Sequence, residues 1–252
     1  MGRVKIAKKS TFIDMTAMSD VTVLLLTFFM LTSTFLAKEP TQVITPASVS
    51  EEKVQETNFV QILVSPDANR DAQGRVTEGK VWLTMNNDTS NKWSNEKMKM
   101  ALLDKVAEIY NESHKNKLSF TPQQKLAFSK LGSFGVPLNQ MSEFLDLASQ
   151  PEGTTKMDKW LQGQDENPKH VTGIPVVWNQ NDTQPDEFQM WMKAMRQTEN
   201  ENLSGAIKDG SGVALKADQN TAFDIVHMVM DNLQTIKMNK FTLLTSLKAG
   251  GE

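Results

Sequence analysis

Nearly all of the continuous apolar sequence lies before residue 38. Residues 21–37 carry no charge and as a helix would span about 25 Å, at about 1.5 Å per residue. A bilayer core requires about 20 residues, and extending the helix back to Met15 provides them. The pattern therefore predicts a transmembrane helix over residues 15–37, with Asp20 inside the membrane or at its inner margin.

The residues before this helix indicate its orientation. The first nine residues include four cations, Arg3, Lys5, Lys8 and Lys9, and such residues mark the cytoplasmic side of a membrane. A cleaved signal peptide is disfavoured because the apolar run begins late, and a buried helix of a soluble protein would not explain the cations. We expect a cytoplasmic tail over residues 1–14 and an exported chain after residue 38.

Asp20 is the unusual residue of this segment. A carboxylate at the centre of a membrane helix costs about 2.5–3.5 kcal/mol, and such residues often belong to proton relays. Burial favours the protonated form, which suits a reversible proton carrier. The alternative is an interfacial Asp stabilised by the helix dipole. Asp20 is the candidate proton-translocating residue.

A polar seam accompanies Asp20. Thr27 and Thr34 follow it at intervals of seven residues, and Thr16 precedes it by about one turn, so all four share one side of the helix. These hydroxyls could face a pore and orient water or bond a protonated carboxyl. They could equally bond back to carbonyls of their own helix.

The exported part shows an α+β pattern. Residues 38–56 read as a linker, and residues 57–65 and 80–85 as strands bounded by Pro66 and by glycines. A helix after Ser94 and a closing helix each carry an apolar stripe: Met98, Ala101, Leu102, Lys105 and Ile109 in the first, Phe223, Val226, Met230 and Leu233 in the second. We predict a domain over residues 57–252 with a small sheet and two helices.

Residues 112–205 read as a mainly helical insertion in this domain. Thr121 and Gln124 form a capping-box pattern around Pro122, and Pro137 precedes another helix. Two stripes recur at helical spacing: Met141, Phe144, Leu145 and Ala148, then Phe188, Trp191, Met192 and Met195. We expect the insertion to have its own small core and hypothesise that it is a partner-docking or dimer surface.

Composition excludes several classes of function. The chain has no cysteine, and its net charge of -3 does not favour a nucleic-acid binder. Its three histidines have no metal-ligand spacing, and no nucleophile–base motif or phosphate-binding glycine loop occurs. We therefore expect neither an enzyme nor a resident metal or cofactor.

Three stretches together resemble a known family. Residues 13–21, Ile-Asp-Met-Thr-Ala-Met-Ser-Asp-Val, precede a Leu-rich helix with Phe29-Met30, as in the membrane segment of the ExbD/TolR family. Residues 213–218 and 229–233, followed by Phe241-Thr242-Leu243-Leu244, resemble the closing strand–helix–strand unit of that family. Val43, Ile44 and Pro46 are similar to its linker motif. Ala17 replaces the usual Pro, and Asp14 a frequent Asn.

The resemblance implies a subunit of a bacterial inner-membrane motor driven by the proton-motive force. Asp20 falls on the essential proton-binding Asp of the family, and Thr16 on its Thr. The implied partners are a pentameric, multi-pass ExbB/TolQ-like channel subunit, a second copy of this chain and a TonB-like protein that serves outer-membrane transport. Val43, Ile44 and Pro46 would form the linker that meets the TonB-like partner.

Two other interpretations stay open. One is a TolR-like subunit of a Tol-Pal motor that maintains the cell envelope. The other is a membrane-tethered scaffold or binding protein whose helix is a passive anchor. The motor interpretation predicts that replacing Asp20 by Asn abolishes proton-dependent work, whereas the anchor interpretation predicts little effect.

Overall fold

The computed structural model describes residues 15–32, 40, 44–48, 59–86, 95–165, 167–180, 184–198, 207, 208, 210–244, 246 and 247. The chain divides into two compact units, Met1–Lys38 and Glu39–Glu252.

The first unit contains helix α1, Met15–Thr32. The predicted span ended at residue 37, and residues 33–37 lie outside the described residues. Within the described parts of the chain, no helix combines the length and the apolar character needed to cross a membrane.

The second unit is built on a mixed sheet. Its six strands are β2 (Phe59–Arg70), β3 (Val76–Asn86), β4 (Ser133–Phe134), β5 (Ile174–Val177), β6 (Val213–Ala217) and β7 (Phe241–Leu244). They lie in the order β4-β3-β2-β6-β7, in which β2 pairs antiparallel with β3 and parallel with β6, and β6 pairs parallel with β7. The outer edge of β3 pairs antiparallel with both β4 and β5.

Two further strands form a small parallel ladder. Strand β1, Ala47–Ser48, pairs with β8, Ser246–Leu247. Strand β1 lies within residues 38–56, which the sequence predicts as a linker. Part of that segment is therefore hydrogen-bonded to the end of the chain.

The helices of this unit come mostly from its middle. They are α2 (Asn95–Ser113), α3 (Pro122–Ser129), α4 (Leu138–Asp146), α5 (Gly153–Leu161), α6 (Glu187–Gln197) and α7 (Phe223–Thr235). A 3-10 turn, Leu147–Ser149, follows α4. The α+β class is confirmed. Outside the predicted insertion the described part of the domain has two helices, α2 and α7, and the insertion contributes α3 to α6. The described residues form a six-stranded mixed sheet, because the insertion adds β4 and β5 to it, and, with α1, seven helices.

Strand β2 is longer than its sequence suggests. Pro66 was expected to end it, yet the strand continues to Arg70 through a shift in register between Val64 and Ala68. A proline has no N–H to donate, and a bulge is where a sheet tolerates it. The Ser65 hydroxyl accepts a hydrogen bond from the Asp67 N–H at 3.0 Å and stabilises this irregular step.

The local signals of the middle segment are confirmed. Thr121 and Gln124 bond each other's backbone N–H in a capping box at the start of α3. Pro137 stands at the start of α4, which buries Met141, Phe144 and Leu145, whereas Ala148 is exposed beyond the end of α4. All four residues of the predicted α6 stripe, Phe188, Trp191, Met192 and Met195, are fully buried.

The prediction that the insertion has its own core is wrong. One continuous apolar cluster joins strands β2, β3 and β6 to helices α2, α4, α5, α6 and α7. Trp191 of α6 packs against Phe128 and Phe134, with ring centroids 5.9 and 4.7 Å away. Strands β4 and β5 also extend the main sheet, so the middle segment is an integral part of the domain.

The buried face of α7 also differs from its prediction. Phe223 is 70% exposed, and Val226 and Met230 are half-buried. The residues that face the core are Ile225, Met228, Val229, Asn232 and Leu233. Apolar residues occur on most of this helix, so the sequence pattern did not determine which side packs inward.

Candidate functional site

Asp20 is the only charged residue in α1. Its side chain and those of its apolar neighbours are exposed; Met30 and Leu31, for example, are 72% and 87% exposed. Seven residues of helix turn through about 700°, so Thr27 returns to within about 20° of the Asp20 position. The helix thus presents one carboxylate on an otherwise uncharged surface.

Three threonines of α1, Thr22, Thr27 and Thr32, hydrogen-bond within their own helix. The Thr27 hydroxyl donates to the Leu24 carbonyl oxygen at 2.9 Å. Thr22 donates to Met18 at 2.7 Å and Thr32 to Phe28 at 2.8 Å in the same way. For Thr27 this is the back-bonding arrangement that the sequence left open. Thr34 lies outside the described residues, and a pore-facing role for Thr16, Thr27 and Thr34 stays a prediction.

The linker motif begins where the folded unit holds the chain. The Ile44 N–H donates to Asp218 Oδ2 at 2.8 Å, and the Ile44 carbonyl accepts from the Gln219 N–H at 2.8 Å. The Ile44 side chain is 63% exposed, and Pro46 is exposed as well, while Val43 lies outside the described residues. Side chains of this motif are therefore accessible although the Ile44 backbone is bonded.

The Asp218 carboxylate accepts hydrogen bonds from two backbone N–H groups, those of Ile44 and Asn220. Its Oδ1 accepts a hydrogen bond from the Asn220 N–H at 2.8 Å. The N–H groups of Asn220 and Ile44 stabilise the carboxylate and lower the pKa of Asp218 below its ordinary value. Ionised Asp218 therefore strengthens one of the two hydrogen bonds between the linker and the β6–α7 turn, and the bond from the Gln219 N–H to the Ile44 carbonyl does not involve the carboxylate.

Sequence reasoning missed two half-buried acids at the start of α6. Burial raises the pKa of Asp186 to about 6 against the opposing effect of N–H bonds from Gln189 and Val177, and burial raises the pKa of Glu187 too. Glu187 Oε2 accepts from the Leu138 N–H at 2.9 Å at the start of α4. Asp186 and Gln189 form a capping box, the same signal that identified α3 and could have located this helix start.

A buried amide network joins α6 to α7. Gln189 and Asn232 are fully buried, and Gln189 Nε2 donates to Asn232 Oδ1 at 2.8 Å. Asn232 Nδ2 then donates to the Val177 carbonyl at 2.7 Å. Buried polar groups require such partners. This network connects the middle segment to the closing strand–helix–strand unit.

His170 is the centre of a polar cluster on the surface of the middle segment. Its ring stacks on Trp160 at 3.6 Å between centroids, contacts Asp165 through Nδ1 and lies 3.3 Å from Glu143 through Nε2. Across the part of the chain that the structure describes, no group of His, Cys, Asp and Glu side chains is arranged to hold a metal ion.

Comparison with known proteins gives one match. The family described as Biopolymer transport protein ExbD/TolR matches residues 7–248. No curated protein and no solved structure matches the chain significantly. The family match extends through α1, the linker, the middle segment and the closing β6–α7–β7 unit. The chain therefore belongs to the ExbD/TolR family.

Proposed function

We propose that this chain is the proton-carrying subunit of an inner-membrane motor and that Asp20 binds and releases the transported proton. Membership of the ExbD/TolR family implies a subunit of a motor driven by the proton-motive force, not an enzyme. The observation that carries the assignment of Asp20 is its position as the single carboxylate of an otherwise uncharged helix. The proposed span covers residues 15–37, with the N-terminus in the cytoplasm and the domain in the periplasm.

The exposed surface of α1 supports partners around it. Large apolar side chains are exposed along the helix, and a continuous apolar surface is normally covered by lipid or by protein. One helix cannot enclose a proton path. We therefore propose that two copies of the chain place their helices within a ring of an ExbB/TolQ-like channel subunit, where Asp20 faces polar groups of the ring.

Charge neutralisation provides the coupling step. One elementary charge crossing 100 mV releases about 2.3 kcal/mol. While ionised, Asp20 is attracted to polar ring residues; once protonated, it loses that attraction and the helix is free to move to the next position. The domain would transmit this movement to a TonB-like protein that serves outer-membrane transport, through contacts that include the exposed Ile44 and Pro46 side chains.

Proton flux through the assembled complex tests the proposal. The full chain is expressed together with an ExbB/TolQ-like channel subunit, and proton uptake by membrane vesicles is measured with a pH-sensitive dye. Asp20→Asn keeps the side-chain volume and removes the titratable group, so flux should fall to the level of vesicles without the complex. Asp14→Asn is the matched control, because it removes a carboxylate six residues earlier, and it should retain flux.

Assembly is checked in the same preparations by co-purification of the two subunits. An Asp20→Asn complex that assembles and still conducts protons at the normal rate would contradict the proposal and favour the passive-anchor interpretation. If Asp14→Asn alone abolished flux, the carrier would have been assigned to the wrong carboxylate.

A further inference from the structure

Thr27 is the first polar side chain after Asp20 on the same line of α1. The other residues of Val21–Thr32 on that line are Leu24 and Leu31. At about 1.5 Å per residue, Thr27 lies about 10.5 Å further along the helix axis. On a proton path that follows this side of the helix from the exported side, the Thr27 hydroxyl comes before the Asp20 carboxylate.

The hydroxyl of Thr27 is available as an acceptor only. A threonine hydroxyl has one proton to donate and two lone pairs that accept. Its proton is used in the bond to the Leu24 carbonyl oxygen. Thr27 consequently neither donates to the Asp20 carboxylate nor passes on its own proton, but it can accept a hydrogen bond from water.

We infer that Thr27 is a positioning residue that holds one water, the relay water, of a chain of waters leading to Asp20, an inference that rests on the proposed function. The water donates one hydrogen to Thr27 Oγ, which leaves a lone pair and its second hydrogen available. A hydronium ion on the exported side transfers a proton to the lone pair, and the water releases its second hydrogen, through any intervening water, toward the Asp20 carboxylate. The water is regenerated, Asp20 becomes neutral, and the Thr27 proton stays bonded to Leu24.

Thr22 provides an internal control within the same helix. Its hydroxyl donates to the Met18 carbonyl at 2.7 Å, four residues back, whereas Thr27 donates three residues back to Leu24, so both hydroxyls use their proton in a bond to their own helix. Two residues beyond Asp20, however, Thr22 lies about 200° around the helix and thus on the opposite side. Any effect of the back-bond alone should be shared by both threonines, whereas the relay role should be confined to Thr27.

The experiment compares Thr27→Val, Thr27→Ser and Thr22→Val in the full chain assembled with its channel subunit. Proton flux into vesicles is measured over a range of external pH. Thr27→Val should slow proton delivery about two- to tenfold, the factor expected for one hydrogen bond. Because a higher proton concentration offsets slower delivery, the flux profile should shift to acid by up to about one pH unit.

Thr27→Ser should restore the profile, and Thr22→Val should leave it unchanged. Equal profiles for Thr27→Val and Thr22→Val would overturn the inference. If either valine variant fails to co-purify with the channel subunit, Thr27→Ala and Thr22→Ala are compared by the same criterion. Asp20→Asn in the same series distinguishes a failure of the proposed carrier from a failure of the relay water. Flux that survives Asp20→Asn contradicts the role of Asp20 as carrier. Flux that is lost in Asp20→Asn but unaffected by Thr27→Val contradicts only the relay water.

Discussion

At the scale of single residues, Asp186 makes the stability of the domain dependent on pH. Burial raises the pKa of Asp186 from an ordinary value of 3.8 to about 6. Between these values the folded chain binds more protons than the unfolded chain, so its stability falls as the pH rises through that window. The loss is on the order of 2–3 kcal/mol.

Asp186→Asn should therefore flatten the pH dependence between about 4 and about 6. An asparagine at this position still accepts from the Gln189 N–H and caps α6, but its NH2 group cannot accept from the Val177 N–H. The gain from removing the charge at pH 7 is therefore offset, and the free energy of unfolding at pH 7 should change by no more than about 1 kcal/mol. Denaturant titration of the purified full chain measures this free energy of unfolding. The exposed Asp158 supplies the matched control, Asp158→Asn, and a pH dependence in Asp186→Asn as steep as that of the unmodified chain would contradict this account.

The sequence alone indicates Asp20 as a functional candidate, but it does not indicate Asp186. Asp20 interrupts an apolar run, and that local contrast is sufficient to single it out. The environment of Asp186 is created by long-range packing, in which the Val177 N–H and α4 approach the start of α6. The capping-box spacing between Asp186 and Gln189 can be recognised in the sequence, but the partial burial of the Asp186 carboxylate cannot.

At the scale of elements, helix α6 belongs to the common core. Trp191 is fully buried among aromatic rings, whereas Trp178 is 43% exposed. Trp191→Ala should reduce the free energy of unfolding by about 3–5 kcal/mol, and Trp178→Ala, its matched control, by about 1 kcal/mol. Denaturant unfolding monitored by circular dichroism measures both changes. Equal, small losses would show that the middle segment is energetically separate from the rest of the domain.

The contact between Ile44 and the β6–α7 turn gives a second prediction at this scale. Because the Asp218 pKa is lowered in the folded chain, this contact contributes its full stabilisation above the ordinary pKa and loses it as the pH falls through the lowered pKa of the folded chain. Asp218→Asn removes one carboxylate acceptor, so the amides of Ile44 and Gln219 should exchange with solvent faster. Hydrogen exchange detects this change, with the exposed Asp67→Asn as control; unchanged protection in Asp218→Asn would show that the carboxylate does not hold the linker.

Elements with strong local signals were predictable, and those that depend on distant partners were not. The Thr121 capping box and the α6 stripe are encoded within one or two helical turns. Strands β4 and β5 have only two and four residues, too few for a periodic pattern, and they form because β3 offers an open edge. The inward face of α7 was missed because buried Asn232 interrupts its apolar stripe and is satisfied by Gln189, 43 residues away.

At the scale of the whole molecule, the chain combines a helix with one carboxylate and a domain whose enlarged middle segment shares the core. Family membership connects both parts to a motor driven by the proton-motive force. The buried Gln189–Asn232 link makes the middle segment part of the same folded body as the β6–α7–β7 unit. A partner that binds the middle segment would therefore be connected through packed structure to the rest of the domain.

The central claim is that Asp20 alternates between its protonated and ionised forms as the motor runs. Infrared difference spectra of the assembled complex, recorded as a proton gradient is applied and then removed, measure this directly. We predict a carboxylic-acid carbonyl band that appears and disappears with the gradient in the unmodified chain and is absent in Asp20→Asn. A band that persists unchanged in Asp20→Asn, or no gradient-dependent carboxyl signal in the unmodified chain, would contradict the account.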